Sequence, residues 1–143
     1  MSLFQPLRRA TLLYPSGPAH DINRNHLFIL LTDPVNNPEN GKVCVLLTSL
    51  STLNPALPHD PTFILNPGDH PFVTRTSYVS YAHSRIEEAT KLVNGVATGE
   101  FIAKDLMDGK IVDQICAGLT ISRHASPKIL RFFRVYTALI SGT

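Results

Sequence analysis

A histidine and an arginine lie two residues apart within segment 77–86, whose polar and apolar residues alternate. If this segment is a strand, the alternation places Tyr81, His83 and Arg85 on one face. An imidazole exchanges protons near neutral pH, and a guanidinium carries a permanent charge that suits phosphate oxygens. Metal-free phosphodiester cleavage needs both groups, because one moves a proton while the other offsets charge growing on the phosphorus oxygens. The alternative is a surface histidine beside an arginine that pairs with Glu87 or Glu88.

Two polar stretches, residues 17–26 and 66–77, each lead into a predicted strand and mix histidine, aspartate and arginine. Loops on a rigid scaffold often carry the chemistry of a protein. The members of these stretches that could bind a phosphate or move a proton are Arg24, His26, Asp69, His70 and Arg75. Both stretches are therefore candidate site loops.

Metal chemistry is a second possibility, because histidine and aspartate are neighbours at His20-Asp21, His59-Asp60 and Asp69-His70. A hydrolase that uses Asp69 and His70 would require these groups to converge on a metal. No HxH, HxxxH or HExxH spacing is present to hold two ligands on one face. We therefore expect no bound metal and no cofactor, with the aspartates capping turns. The lack of a GxSxG motif argues against a serine hydrolase.

The composition indicates one folded domain over residues 1–143, since 43% of the residues are hydrophobic and only 17% are charged. A formal net charge of +2 does not force nucleic-acid binding, so an anionic partner would need a local cluster of cations. Cys44 and Cys116 lie far apart and are interpreted as small buried hydrophobes. The chain has no secretory signal and no apolar stretch near the ~20 residues that span a bilayer, which predicts a cytoplasmic protein without membrane association.

Short apolar segments between turn-rich stretches predict a mainly β architecture. The predicted strands are residues 10–14, 26–32, 43–50, 62–65, 78–85 and 93–98. The runs 27–31 and 43–47 are apolar without alternation, which indicates burial on both faces. The turn-forming loop between them ends in Asn40-Gly41, so we expect these two strands to form a central antiparallel hairpin.

Helical spacing of apolar residues closes the chain. Asp105 is the predicted N-cap of a first helix that Gly118 ends, and Ser126 followed by Pro127 begins a second helix that Gly142 ends. The fold class is therefore mainly β (α+β).

The sheet should be a small, strongly curved antiparallel barrel over about residues 8–100. We expect the two helices, over about residues 104–140, to pack on it. The second helix carries Lys128, Arg131 and Arg134, which form either an anion-binding face or a solvated surface.

The order of these parts resembles that of the MazF/PemK (Kid, CcdB-like) toxins over roughly residues 8–119. In that family a loop after the first strand ends in Arg, the next long strand ends in Thr/Ser, and a later strand carries a Gln-Ile-Arg-Thr-type motif. Arg24, Thr48 with Ser49, and Arg85 match these elements in turn. His83 stands where the family motif commonly has Gln.

The resemblance implies an SH3-like barrel that forms a homodimer, cleaves single-stranded RNA without metal and has an antitoxin protein as partner. In the implied mechanism the ribose 2′-OH attacks the adjacent phosphorus. Arg85 would stabilise the developing charge, and His83 or His26 would exchange protons. Thr48 would hold a phosphate oxygen, and Arg24 would anchor the RNA backbone.

Further residues expected to contact RNA are Ser49, Asp69, His70, Arg75, Tyr78, Arg131 and Arg134. Tyr78 and Tyr81 are candidates for base stacking, although an aromatic residue on a strand also suits the core. The alternative function is a non-catalytic module of the same barrel that binds nucleic acid or a protein, because the CcdB branch binds gyrase and cuts nothing. Convergence of Arg24, Thr48, His83 and Arg85 in one pocket would favour catalysis over binding.

Overall fold

The computed structural model describes residues 4–15 and 25–142. These residues form one antiparallel sheet and three helices. The strands are β1 Thr11–Pro15, β2 Asn25–Leu30, β3 Val35–Asn37, β4 Lys42–Thr52, β5 Ile64–Leu65, β6 Ser77–Glu88 and β7 Ile102–Lys104. The helices are α1 Ala89–Thr98, α2 Gly109–Leu119 and α3 Pro127–Ile140. The sheet curls into a half-barrel, so the expectation of a mainly β (α+β) small barrel with C-terminal helices is confirmed.

The strand order is β5-β6-β4-β2-β1-β7, with β3 paired to β4. Both faces of the sheet are apolar and carry a separate core. The α2–α3 core contains Leu27, Ile29 and Leu46 together with residues of α2 and α3. The α1 core, on the other face, contains Phe28 and Leu47 together with residues of α1 and Phe101. Successive residues of β2 and β4 therefore point into different cores, as continuous apolar runs require.

The predicted central pair of strands is confirmed, because β2 and β4 are adjacent, antiparallel and in the middle of the sheet. The loop between them also holds the short strand β3, which pairs back onto β4. Gly41 lies in the turn between β3 and β4, with φ of 71°. Only a residue without a Cβ adopts that conformation at little cost, so the glycine allows the tight return.

A bulge interrupts β6 and changes which face its side chains occupy. Leu47 pairs with Arg85 and Ser49 pairs with Ser80, so two steps along β4 match five along β6. Tyr81 consequently packs in the α2–α3 core, whereas Arg85 reaches the rings of the α1 core. The expected strict alternation, with Tyr81 on the face of His83 and Arg85, is wrong. Tyr81 is 1% exposed and is a core residue that is not available for stacking.

Segment 93–98 is helical, so the predicted last strand is wrong. It belongs to α1, whose buried residues Ala89, Leu92 and Gly95 recur at helical spacing. The β-branched Val93 and Val96 suggested a strand, but the burial of one helical face outweighs that weak local preference. Phe101 lies so close to Gly95 that a Cβ there would overlap its ring.

The start of α2 differs from the expectation, whereas that of α3 matches it. Asp108, not Asp105, caps α2 by accepting a hydrogen bond from the backbone N–H of Ile111. The predicted stop, Gly118, lies inside α2 and not after it. The predicted N-cap of α3 is confirmed, since Ser126 accepts from the N–H of Ile129 and Pro127 follows it.

Cys44 and Cys116 are both buried, as predicted. Burial raises the pKa of each thiol, which keeps it protonated at neutral pH. Within the described residues, no helix combines the length and apolar character needed to cross a membrane.

Asp60 ties the loop before β5 to the loop after α2. Its Oδ2 accepts a 2.6 Å hydrogen bond from the Ser122 hydroxyl, and its Oδ1 accepts from the N–H and hydroxyl of Thr62. Burial of the carboxylate raises its pKa, but these hydrogen bonds outweigh burial and lower the pKa below its usual value. The ionised form therefore stabilises the fold.

Gly118→Ala should destabilise the protein by about 1–3 kcal/mol, because the new methyl group would overlap the buried Tyr81 hydroxyl. Gly109→Ala in the same helix is the control, since its Cβ would meet no atom closer than 3.8 Å. Urea denaturation measures both changes. The penalty at Gly118 should shrink in a Tyr81→Phe background, and an equal penalty in both backgrounds would show that the hydroxyl is not its cause.

Asp60→Asn should lower the free energy of unfolding at pH 7 by about 1–2 kcal/mol, the scale of lost charge-assisted hydrogen bonds. A carboxylate whose folded-state pKa is lowered contributes fully above its unfolded pKa and loses its contribution as the pH falls through the folded value. The difference between wild type and variant should therefore disappear as the pH falls through and below about 4. A difference that persists unchanged at pH 2 would contradict this role.

Candidate functional site

A small cavity of about 70 Å³ lies where β2, β4 and β6 run side by side. Each strand contributes two lining residues: His26 and Phe28, Ser49 and Ser51, and His83 and Arg85. On β2 and β4 the two residues of each pair are two positions apart, so strand alternation presents them to the same side of the sheet. His83 lies in the irregular stretch of β6 and lines the same cavity as Arg85. The cavity is large enough for a group of a few heavy atoms, given that one water occupies about 30 Å³ of liquid.

Arg85 rests on two aromatic rings beside this cavity. Its guanidinium carbon lies 4.6 Å from the centroid of Tyr14 and 5.4 Å from that of Phe28. Within residues 4–15 and 25–142, no carboxylate lies at ion-pair distance from the Arg85 guanidinium. The guanidinium N–H groups also make no hydrogen bond to these residues. The cation is therefore held by ring faces while its donors remain available to a ligand.

The expected structural alternative for Arg85, an ion pair with a neighbouring glutamate, is not what the structure shows. Glu87 pairs with Lys91 at 3.0 Å, and Glu88 pairs with Lys42 at 2.9 Å. Each glutamate thus has a lysine partner of its own. The positive charge of Arg85 remains uncompensated among the described residues.

Tyr14 is itself held firmly in place. Its hydroxyl donates a 2.7 Å hydrogen bond to Glu87 Oε2, and Lys91 Nζ donates to the same hydroxyl at 3.3 Å. The hydrogen bond to Glu87 raises the pKa of Lys91, so this lysine is charged at neutral pH. The ring of Phe101 stacks on Tyr14 with centroids 4.5 Å apart. Polar and apolar contacts together fix the ring that supports Arg85.

The two histidines of the cavity come from different strands. His83 lies in the β6 bulge, where its Nδ1 is 2.5 Å from the Ser80 hydroxyl. That hydrogen bond occupies one ring nitrogen and leaves Nε2 as the group that can exchange a proton with a ligand. His26 is half-buried at the start of β2, opposite Tyr14 on β1.

A larger cleft of about 720 Å³ adjoins the cavity and shares His26 and Ser51 with it. The loop before β6 and the end of β4 form its walls, and Arg75 and Tyr78 are among its lining residues. Cavity and cleft are therefore neighbours at one end of the sheet. Two of the residues expected to contact RNA, Arg75 and Tyr78, thus lie beside His26.

Thr48 does not reach the cavity. It is completely buried, and its hydroxyl is 3.0 Å from that of Ser84. Along β4 it lies on the same face as Leu46 and Leu50, which belong to the α2–α3 core, whereas Ser49 and Ser51 face the cavity. A phosphate in the cavity would meet Ser49, not Thr48. Arg24 lies outside the described residues.

His70 and Asp69 fulfil structural roles. His70 is 2% exposed, its Nδ1 accepts from the N–H of Phe72, and its Nε2 lies 2.6 Å from the carbonyl of Asp105. Because Nδ1 accepts, Nε2 carries the proton and donates to that carbonyl. Asp69 accepts from the N–H of Asn66 within its own turn. Neither residue lines the cavity or the cleft.

The basic residues of α3 lie apart from the cavity. Arg131 pairs with Glu39, 3.2 Å away in the β3–β4 turn. The buried side of α3 packs into the α2–α3 core, on the face opposite Arg85. Arg134 is exposed and lines neither depression. The structure therefore does not bring these two arginines to the other candidate residues.

The structure brings together His26, Ser49, His83 and Arg85 from the sequence-predicted set, and adds Tyr14, Phe28 and Ser51. Phe28 lies two residues after His26, and Ser51 two residues after Ser49, so each shares a face with a predicted site residue. This spacing could have indicated Phe28 and Ser51 if the register of β2 on β4 had been known. Over the described residues, no cluster of three His, Cys, Asp or Glu side chains is arranged to hold a metal ion. Comparison with family models, with curated proteins and with solved structures gave no match.

Proposed function

We propose that the small cavity between β2, β4 and β6, here called the Arg85 cavity, binds a phosphodiester of single-stranded RNA. We further propose that the protein is a metal-independent endoribonuclease. The observation that supports this most directly is the combination, in one cavity, of His26, His83 and Arg85, whose guanidinium lies on ring faces and has no carboxylate partner among the described residues. None of the described residues that line the cavity is acidic, so their charge favours an anion. Its volume suits a phosphate group and not a whole nucleotide.

In this mechanism the reacting nucleophile comes from the substrate. One histidine removes the proton of the ribose 2′-OH, the 2′-oxygen bonds to phosphorus, and the bond from phosphorus to the 5′-oxygen breaks. The other histidine gives a proton to the leaving 5′-oxygen, which leaves a 2′,3′-cyclic phosphate and a 5′-hydroxyl. Imidazoles are present in both protonation states near neutral pH, as such a pair of steps requires.

Arg85 would stabilise the charge on the non-bridging phosphorus oxygens, because a guanidinium offers two parallel donors to them. The Ser49 hydroxyl would donate a further hydrogen bond to a phosphate oxygen, which is the role that the family resemblance implied for Thr48. The aromatic rings of Tyr14 and Phe28 hold the guanidinium without neutralising it. An arginine paired with a carboxylate would have to exchange that partner before binding a phosphate.

The resemblance to MazF/PemK toxins extends the proposal to the toxin of a toxin–antitoxin pair that acts in the cytoplasm as a homodimer. The second candidate is a non-catalytic module that binds nucleic acid through the same cavity or binds a protein partner. Of the four residues whose convergence would favour catalysis, His83 and Arg85 share the cavity, Thr48 is buried away from it, and Arg24 lies outside the described residues. The argument for catalysis over simple binding therefore depends on the pair of histidines, since phosphate binding alone needs no group that gives up a proton.

The purified protein should cleave single-stranded RNA in excess EDTA and leave 2′,3′-cyclic phosphate ends. A strand with 2′-O-methyl groups throughout should remain intact, because the attacking hydroxyl is blocked. Gel analysis with end-group identification measures both outcomes, and Arg85→Ala protein prepared in parallel controls for contaminating nuclease. Cleavage of the methylated strand would refute the mechanism.

Arg85→Ala should lower kcat by about 10²-fold or more, the usual effect of losing one stabiliser of the developing charge. The melting temperature should fall by only a few degrees, because a partly exposed cation–π contact contributes about 0.5–2 kcal/mol. Arg134→Gln, which removes an arginine from the far face, is the control and should retain full activity. A large loss of stability with unchanged specific activity would make Arg85 a structural residue.

A further inference from the structure

We infer that the cleft beside the Arg85 cavity is the subsite for the base and outer phosphate of the nucleotide next to the scissile phosphodiester. This inference rests on the proposed function and specifies where the substrate strand continues. Its starting point is that the cavity and the cleft are neighbours, because His26 and Ser51 line both. A strand whose phosphate contacts Arg85 would therefore place its next nucleotide in the cleft.

The shape and lining of the cleft suit a nucleobase. Its volume of about 720 Å³ falls within the range of about 300–1,000 Å³ that is typical of small-ligand sites. The buried side chains of Leu27, Leu50 and Val73 contribute apolar lining. Phe72 and Tyr78 add two aromatic rings, of which Phe72 is 44% exposed. Rings of this kind bind unpaired bases by stacking.

Tyr78 already has an aromatic neighbour that limits its movement. The ring of His59 lies 5.3 Å from it, tilted by 45°. Tyr78 is half-buried on β6, where it pairs with Ser51 of β4 and Ile64 of β5. A ring fixed in this way can accept a base with little loss of side-chain freedom.

The charge of the cleft favours an anionic partner. Arg75 is exposed, and no carboxylate of the described residues pairs with it. No acidic residue is among the described residues that line the cleft. A base on the apolar floor with a phosphate at Arg75 satisfies both properties. A paired base cannot reach such a floor, so the subsite selects single-stranded RNA.

Tyr78→Leu should weaken the binding of a 2′-O-methyl oligoribonucleotide by about tenfold or more, as expected for the loss of one stacked base. Fluorescence anisotropy measures the Kd of the variant and of the wild-type protein, and the methylated strand is not cleaved during the measurement. On cleavable RNA the same variant should raise KM while kcat stays within about twofold, because the ring contacts the flanking nucleotide and not the reacting atoms. Tyr78→Phe, which keeps the ring, should bind as the wild type does and controls for folding.

Two further measurements separate base stacking from phosphate binding. An oligonucleotide with an abasic site next to the cleavage position should bind the wild-type protein about as weakly as the intact strand binds Tyr78→Leu. Removing the base should not weaken binding to Tyr78→Leu any further, because the variant lacks the ring on which that base would stack. Arg75→Gln should reduce the slope of log Kd against log salt by about 0.7, the value for one phosphate of a single strand. Arg134→Gln removes the same charge elsewhere and should leave the slope unchanged.

The outcomes distinguish this inference from the proposed function. Cleavage by wild type, together with unchanged binding by Tyr78→Leu and Arg75→Gln, would overturn the subsite and leave the nuclease standing. Binding that depends on Tyr78 and Arg75, without cleavage of any RNA, would support the subsite and overturn catalysis. If the methylated strand does not bind and no RNA is cleaved, both proposals fail.

Discussion

The burial of β2 and β4 on both faces is the constraint on which the rest of the structure depends. Because their side chains point into two cores, the sheet needs cover on each side: α2 and α3 supply it on one face, and α1 with Phe101 on the other. Most polar residues of these strands lie beyond the packed region, near the strand ends. His26, Ser49 and Ser51 lie at the end where β2 begins and β4 ends, and there they line the cavity.

The bulge in β6 adapts the sheet to this division. One stretch of the strand must supply Tyr81 to the α2–α3 core, where its hydroxyl bonds to the carbonyl of Ile115, and a few residues later must supply Arg85 to the opposite face. Regular alternation would put Tyr81 and Arg85 on the same side. The extra residues of the bulge remove that conflict, and His83 is one of them. Bulges often redirect a side chain next to a functional site, and this one does so for both groups of the proposed chemistry.

Among the described residues Arg85 has no acidic partner, because the neighbouring glutamates already bind other groups. Glu87 bonds to Tyr14 and Lys91, and Glu88 pairs with Lys42. The contact with Tyr14 has two consequences, since the same hydrogen bond that satisfies Glu87 also fixes the ring under Arg85. An uncompensated cation on a rigid support is disposed to bind an anion with little reorganisation, which is the condition for electrostatic stabilisation of a developing charge.

The sequence by itself determined the features that a single segment can encode. The apolar runs of β2 and β4 predicted a central pair buried on both faces, and Ser126 with Pro127 marked the start of α3. The spacing of His83 and Arg85 indicated two residues that line the candidate cavity. Prediction from the sequence failed at 93–98, where weak strand propensity lost to burial of a helical face, and at Gly118, whose role depends on Tyr81. Only the tertiary structure decided that Ser49 faces the cavity while Thr48 does not, that His26 joins His83, and that Glu87 is taken by Lys91. These outcomes depend on strand register and on competition between partners distant in the chain, and the periodicity of one segment contains neither.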